Sequence, residues 1–95
     1  MSSMGEPLTP TEAKKRIRAI LVTGTVDFTT HAREELQKDN LGTGDALNVL
    51  RAGVVEPAEL VGTVWRYRVR TARMYVVVQF RSDVQLLVIT GWRLT

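Results

Sequence analysis

The spacing of hydrophobic positions along the chain changes near Gly53. Before it, Ala13, Ile17, Ile20 and Leu21 recur at helical intervals while Lys14, Lys15 and Arg18 fall on other sides, which predicts a core-packing helix with a basic outer surface. Thr9-Pro10-Thr11-Glu12 starts that helix: Thr9 suits the cap, Pro10 the first helical position, and Glu12 completes a capping box. It runs to about Thr23, with Gly24 as its stop. Val26 to Phe28 reads as a short extended link. Thr29 or Thr30 then caps a second helix from about His31 to Lys38, which ends at Asp39-Asn40. Gly42-Thr43-Gly44-Asp45 opens a third, with Ala46, Leu47, Val49 and Leu50 apolar and Gly53 closing it.

Beyond Gly53 the period is that of a strand. Val54-Val55-Glu56 ahead of Pro57 predicts a broken edge segment, because proline donates nothing to a ladder. Strands are predicted over 64–71, Met74 to Arg81 and Gln85 to Trp92, joined by Thr71-Ala72-Arg73 and Ser82-Asp83. Short connections make neighbours antiparallel. The expected fold is therefore α+β, with two to three N-terminal helices on one face of a C-terminal antiparallel meander. Residues 9–95 are expected to form one domain after a disordered lead-in at residues 1–8.

The run Trp65-Arg66-Tyr67-Arg68-Val69-Arg70 changes the picture from fold to function. In an extended strand Trp65, Tyr67 and Val69 point to one side and Arg66, Arg68 and Arg70 to the other. Three guanidiniums on one strand face call for an anionic partner, since like charges so placed repel one another. Guanidinium forks match phosphate, which makes RNA the first candidate and a carboxylate-rich protein the second. The charge distribution agrees. Residues 61–95 hold six arginines against one acid, Asp83, while residues 1–60 hold seven basic and nine acidic side chains, within an overall charge of +3. A chain polarised in this way attracts polyanions at a rate that falls with salt. An arginine-rich surface that serves solubility alone is the plain alternative.

Composition narrows the chemistry. With no cysteine, disulfides and thiolate metal sites are excluded, in keeping with a reducing cytoplasm. The single histidine, His31, argues against most zinc sites. The N-terminus lacks a basic stretch followed by an apolar one, and no apolar run approaches the roughly eighteen residues of a membrane span. A soluble cytoplasmic protein with no membrane association, no metal and no small-molecule cofactor is expected. Gly42-x-Gly44 has no lysine and no phosphate-binding pattern after it.

Several side chains are candidates for a site. On the strand from Met74 to Arg81, Tyr75, Gln79 and Arg81 share the side opposite Met74, Val76, Val78 and Phe80. Pairing across Thr71-Ala72-Arg73 sets Tyr75 close to the arginine-bearing strand, either as a reactive phenol or as a cross-strand packing residue. A phenol of pKa about 10 needs neighbouring guanidiniums to act as a base, and the basic strand offers them. His31 lies at a helix start, where the dipole disfavours a cation; it is either a neutral imidazole able to take a proton or a first-turn residue bonded to backbone. Glu34 and Glu35 read as a solvated helix side. Trp65 and Trp92 fit the core or its edge, and either one, if exposed, can stack on a base.

Lys14-Lys15-Arg16-Ile17-Arg18, Val26-Asp27-Phe28-Thr29, Val64-Trp65-Arg66, Arg73-Met74-Tyr75 and Gly91-Trp92-Arg93 together resemble the MqsR-type mRNA interferase toxins and the toxin-like domains related to them within the RelE/ParE-like superfamily. The resemblance covers about residues 10 to 95. It implies a RelE-like helix-plus-antiparallel-sheet fold, metal-independent cleavage of mRNA, on the ribosome or free, and neutralisation by a cognate antitoxin encoded beside it. By position, the family's strand tyrosine matches Tyr75, its basic residue at the chain end matches Arg93, and its polar residue after the Val-Trp pair matches Arg66. The family's lysine before that strand has no counterpart between Val54 and Val64. Thr30-His31-Ala32 is similar to the His-Ala signature of the related domains. The chemistry implied is attack of a ribose 2′-hydroxyl on the adjacent phosphate, leaving a cyclic phosphate and a 5′-hydroxyl. In that scheme Tyr75 or His31 moves the proton and Arg66, Arg68 and Arg93 stabilise the phosphorane. Arg70, Arg73, Gln79 and Arg81 join Arg68 in holding RNA. A non-catalytic module of the same fold, binding RNA or an acidic protein, is the alternative.

Overall fold

A computed structural model describes residues 5–94. The predicted capping box forms at the start of α1 (Pro10–Thr23): the Thr9 side chain accepts from the Glu12 amide, and the Glu12 carboxylate accepts from the Thr9 amide. β1 (Thr25–Phe28) follows. Thr29 caps α2 (Thr30–Lys38), which ends where Asn40 takes a left-handed φ of 59°, and α3 (Thr43–Ala52) closes against Gly53. The rest of the chain is strand: β2 (Val54–Val55), β3 (Glu59–Val61), β4 (Val64–Arg70), β5 (Met74–Phe80) and β6 (Gln85–Arg93). The sheet runs in the order β1-β6-β5-β4-β2, with β3 also paired to β4.

Two elements correct the sequence-based expectation. Val26 to Phe28, read as a link, belongs to β1, which pairs parallel with β6 from Thr25 opposite Gln85 to Phe28 opposite Val88. A strand therefore separates α1 from the other helices, so the helices do not all precede the sheet, and the sheet is mostly rather than wholly antiparallel. Only the far edge of β6 was free to take it, and Val26 and Phe28 lean on the core while Thr25 and Asp27 face out. The second correction is β3. Glu59, Leu60 and Val61 pair with Arg66, Trp65 and Val64 across Gly62-Thr63, a two-residue turn in which Gly62 supplies φ 64°.

All three helices pack on one face of the sheet around a single core. From the sheet it takes Val55, Tyr67, Val69, Met74, Val76, Val78, Phe80, Leu86 and Val88; from the helices Ala13, Ile17, Ile20, Ala32, Leu36, Ala46, Val49 and Leu50. The parity predicted for β4 holds: Tyr67 and Val69 are fully buried, Trp65 lies half-buried against the core, and Arg68 and Arg70 are exposed on the other side. Helix α2 comes so close to β6 that a Cβ on Gly91 would lie 3.0 Å from Leu36 Cδ2 and 3.1 Å from the Tyr75 carbonyl oxygen. A side chain there would need Leu36 or the β5 backbone to give by a few tenths of an ångström, so glycine lets α2 lie close.

β6 carries an irregularity that decides what the far face displays. Val77 lies opposite Thr90 and Val78 opposite Val88, so Ile89 is an extra residue, a β-bulge. Plain alternation would leave Thr90 and Trp92 on the same side as Leu86 and Val88, in the core. The bulge reverses the parity: Gly91 turns to the helices, and Trp92 comes to lie beside Tyr75 on the helix-free face.

The segment read as a lead-in is anchored where it is described. Residues 1–4 lie outside the described residues, but Leu8 is buried in the core, and its amide donates to the Tyr67 hydroxyl at 3.0 Å. That hydroxyl in turn donates to Glu6 at 2.9 Å, and the ring meets Phe80 edge-on at 5.2 Å. Burial, with the Glu6 carboxylate adding to it, pushes the Tyr67 phenol up to about 12. Because the folded state favours the neutral phenol, this stability is fully present below pH about 10 and is lost as pH rises from there to about 12. Tyr67→Phe is expected to cost about 1 to 3 kcal/mol at neutral pH, since the buried Leu8 amide loses its acceptor. Denaturant titrations at a series of pH values should show that deficit shrinking by roughly 2 to 3 kcal/mol across the alkaline window, because the Phe variant has no phenol to ionise.

Candidate nucleic-acid interface

The helix-free face is assembled from β3 to β6. Arg66, Arg68 and Arg70 alternate outward along β4. Cross-strand register sets Arg70 opposite Tyr75 and Arg68 opposite Val77 on β5, then Tyr75 opposite Trp92 and Val77 opposite Thr90 on β6. Val77 and Leu87 form a small buried floor outside the main core, while Gln79 lies half-buried. The Tyr75 and Trp92 rings stack with centroids 5.2 Å apart and planes 27° from parallel. Cations and flat π-surfaces thus share one exposed sheet face, the pairing that single-stranded nucleic acid binds through its phosphates and bases.

Glu56 is the residue that sequence reasoning missed. It follows β2, and its amide donates to the Arg68 carbonyl, which carries the edge one residue further along β4. Its Oε2 accepts from both Arg70 Nε and the Tyr75 hydroxyl, each at 2.9 Å. Glu59 on β3 reaches Arg68 at 4.0 Å, a long contact between two well-exposed groups. The acids of the β2–β3 segment therefore face the arginines of β4. The available signal was the Gly62-Thr63 hairpin, which folds Glu59 back over Arg66.

This arrangement reverses one electrostatic expectation. The Tyr75 phenol is held above its ordinary value, first by its hydrogen bond to Glu56, then by desolvation and the Glu56 charge, against the opposing pull of Arg70 and Arg68. Tyr75 is consequently a proton donor on this face and not a ready base. The Glu56 carboxylate beside it accepts the hydrogen bond.

The remaining candidates divide between the two faces. Arg66 is half-buried on the open face, and its Nε is buried with no hydrogen-bond acceptor among the described residues. Arg81 is exposed at the end of β5. Arg93 is opposite Met74, on the helix side; its amide donates to Asp39 Oδ2 at 2.7 Å and its Nη2 to the Asp39 carbonyl at 3.1 Å, so it caps the end of α2. Arg73 sits at the β4–β5 turn, where it borders a depression shared with Asp45 and Asn48 of α3. His31 is exposed in the first turn of α2, in the helix layer. Tyr75, Arg66, Arg68, Arg70 and Gln79 thus come together, while Arg93, Arg73 and His31 lie elsewhere. Among the described residues, no group of three or more His, Asp or Glu side chains is placed to hold a metal ion, and no helix is long and apolar enough to cross a membrane.

Glu56→Gln removes both the charge and the strongest acceptor from the Tyr75 hydroxyl. The phenol should then titrate at lower pH, with Arg70 and Arg68 unopposed. An NMR titration of the tyrosine ring carbons checks this, with Tyr67 near 12 as the internal reference; a Tyr75 midpoint that does not move would show that Glu56 does not control it.

Compared with models of protein families, with curated proteins and with solved structures, the chain finds no match.

Proposed function

We propose that this protein binds single-stranded RNA on the helix-free sheet face and cleaves it there as a toxin-like, metal-independent endoribonuclease of RelE-like fold. One observation carries the reading: a carboxylate oxygen of Glu56 sits 2.9 Å from both a phenol and a guanidinium, at the edge of a face built from arginines and stacked aromatics. The resemblance of short segments to MqsR-type interferases supports it, as does the layering of helices on one side of a mostly antiparallel sheet. On this reading the substrate is mRNA and the chain is held in check by an antitoxin in the cytoplasm.

The chemistry needs a base, a donor and cations, all available on this face. Glu56 takes the proton of a ribose 2′-hydroxyl, whose oxygen attacks the adjacent phosphorus. Arg70 and Arg68 neutralise the charge that builds on the phosphorane. The bond to the 5′-oxygen breaks, Tyr75 protonates that oxygen, and the phenol recovers its proton from Glu56 through their shared hydrogen bond. The products are a 2′,3′-cyclic phosphate and a free 5′-hydroxyl.

A second reading, a docking surface for an acidic protein, draws on the fact that Arg70 and Arg68 already face carboxylates of their own chain. Cleavage of a labelled mRNA, with products tested for cyclic phosphate, separates the two. Glu56→Gln and Tyr75→Phe should each lower the rate about a hundredfold to ten-thousandfold, the span of a general acid or base. Replacing Arg68 with Ala should weaken RNA binding across sequences and reduce the salt slope by about one unit for the lost phosphate contact. RNA bound but never cut by the wild type would leave a binding module. An unchanged salt slope together with no cleavage would favour the protein-docking surface.

A further inference from the structure

Beside the Tyr75–Trp92 stack, the open face dips into a depression of about 210 Å³ bordered by Glu59, Arg66, Arg68, Val77, Thr90 and Trp92. Its floor is apolar at Val77, and one wall is an indole whose other neighbour is Tyr75. The opposite wall comes from a directly paired set of residues, Glu59 on β3 across from Arg66 on β4. Their Cβ atoms are therefore close neighbours, yet they do not bond each other, and Glu59 leans instead to Arg68 at 4.0 Å. The half-buried guanidinium of Arg66 thus borders the depression without being paired to the carboxylate opposite it, so both side chains can turn to a ligand.

We infer that this depression is a subsite for a guanine base of the bound RNA; the inference rests on the RNA-binding reading above. The base that fits must offer an acceptor to Arg66, donors to Glu59 and a flat ring to Trp92. Along its pairing edge guanine presents, in order, the O6 acceptor, the N1–H donor and the N2 amino donor. Arg66 takes the first and the acceptor-only carboxylate of Glu59 takes the other two. Adenine and cytosine each set a ring-nitrogen acceptor next to their amino group, and uracil flanks its one donor with two acceptors, so each of them turns a lone pair toward the carboxylate. Stacking on Trp92 holds any base, whereas the Arg66–Glu59 pair selects among them.

The test uses 5′-labelled uridine heptamers carrying U, G, A, C or inosine at the centre, 2′-O-methylated throughout so that binding is read without cleavage, in fluorescence anisotropy at fixed salt. The G heptamer should bind about tenfold to a hundredfold more tightly than the all-uridine one, the discrimination of a good two-point contact. Inosine, which lacks the N2 amino group, should fall between them. Glu59→Gln is a safe probe for folding because that side chain is 63% exposed. It should erase the G preference while leaving all-uridine affinity equal or higher, since it removes a negative charge beside Arg68. Equal binding of all heptamers, or a G preference that survives Glu59→Gln, overturns the guanine subsite and leaves RNA binding standing. No binding of any heptamer overturns both.

Discussion

One extra residue in the last strand determines which chemistry the helix-free face presents. Ile89 has no partner of its own on β5, and because side chains alternate strictly along a strand, everything beyond it changes sides. Without that bulge Trp92 would point at α2, where Gly91 now leaves little room for a side chain. With it, α2 closes down on β6 and the indole comes to rest on Tyr75. Helix packing and the composition of the open face are two results of the same local irregularity, since a glycine beneath α2 requires its neighbour to face away.

The β2–β3 segment sets the electrostatics of that face. It returns two carboxylates over a strand that would otherwise display three cations, and each has a distinct effect. Glu56, half-buried and sharing one oxygen between Arg70 and Tyr75, converts the phenol from a candidate base into a donor. Glu59, far more exposed and only loosely tied to Arg68, contributes little to stability and stays free to rearrange around a ligand. The ion pair nearer the phenol is thus fixed, and the one beside the depression is adjustable.

Much of this was legible in the chain. The capping box at Thr9, the stops at Gly24 and Gly53, the limits of α2 and α3 and the alternation of β4 depend on local rules, and the structure follows them. β1 escaped because a four-residue strand has too few positions to show its period, and its pairing with β6 is a long-range event that no local signal encodes. β3 was equally short, though its Gly62-Thr63 turn was visible. The bulge at Ile89 was not legible at all, since an inserted residue in an apolar run resembles continued alternation. These misses explain the errors at the site. Charge arithmetic divided at residue 60 counted Glu56 and Glu59 away from the arginines they face, and the positional match to a basic residue at the chain end grouped Arg93 with a face it does not join.

A cation that the fold already uses is less available to a ligand, and this criterion sorts the basic residues more finely than their density along the chain. Lys14 donates to the carbonyls of Leu50, Arg51 and Gly53 and so caps α3, with burial and nearby Arg18 lowering its pKa as expected of an ammonium taken out of water. Arg33 lies over the Phe28 ring at 5.5 Å, Lys38 pairs with Glu35, Arg51 bonds Asn48, and Arg93 holds the end of α2. The helix layer therefore spends much of its basicity on its own termini and surface pairs. Among the described residues, Arg16 of α1 and Arg66 on the sheet each keep one buried guanidinium nitrogen without a partner, while on the sheet Arg68 has only a loose partner and Arg81 is exposed. Depressions lined by basic residues occur in both layers, but the one on the sheet face is also bordered by the indole of Trp92, with Tyr75 stacked against it.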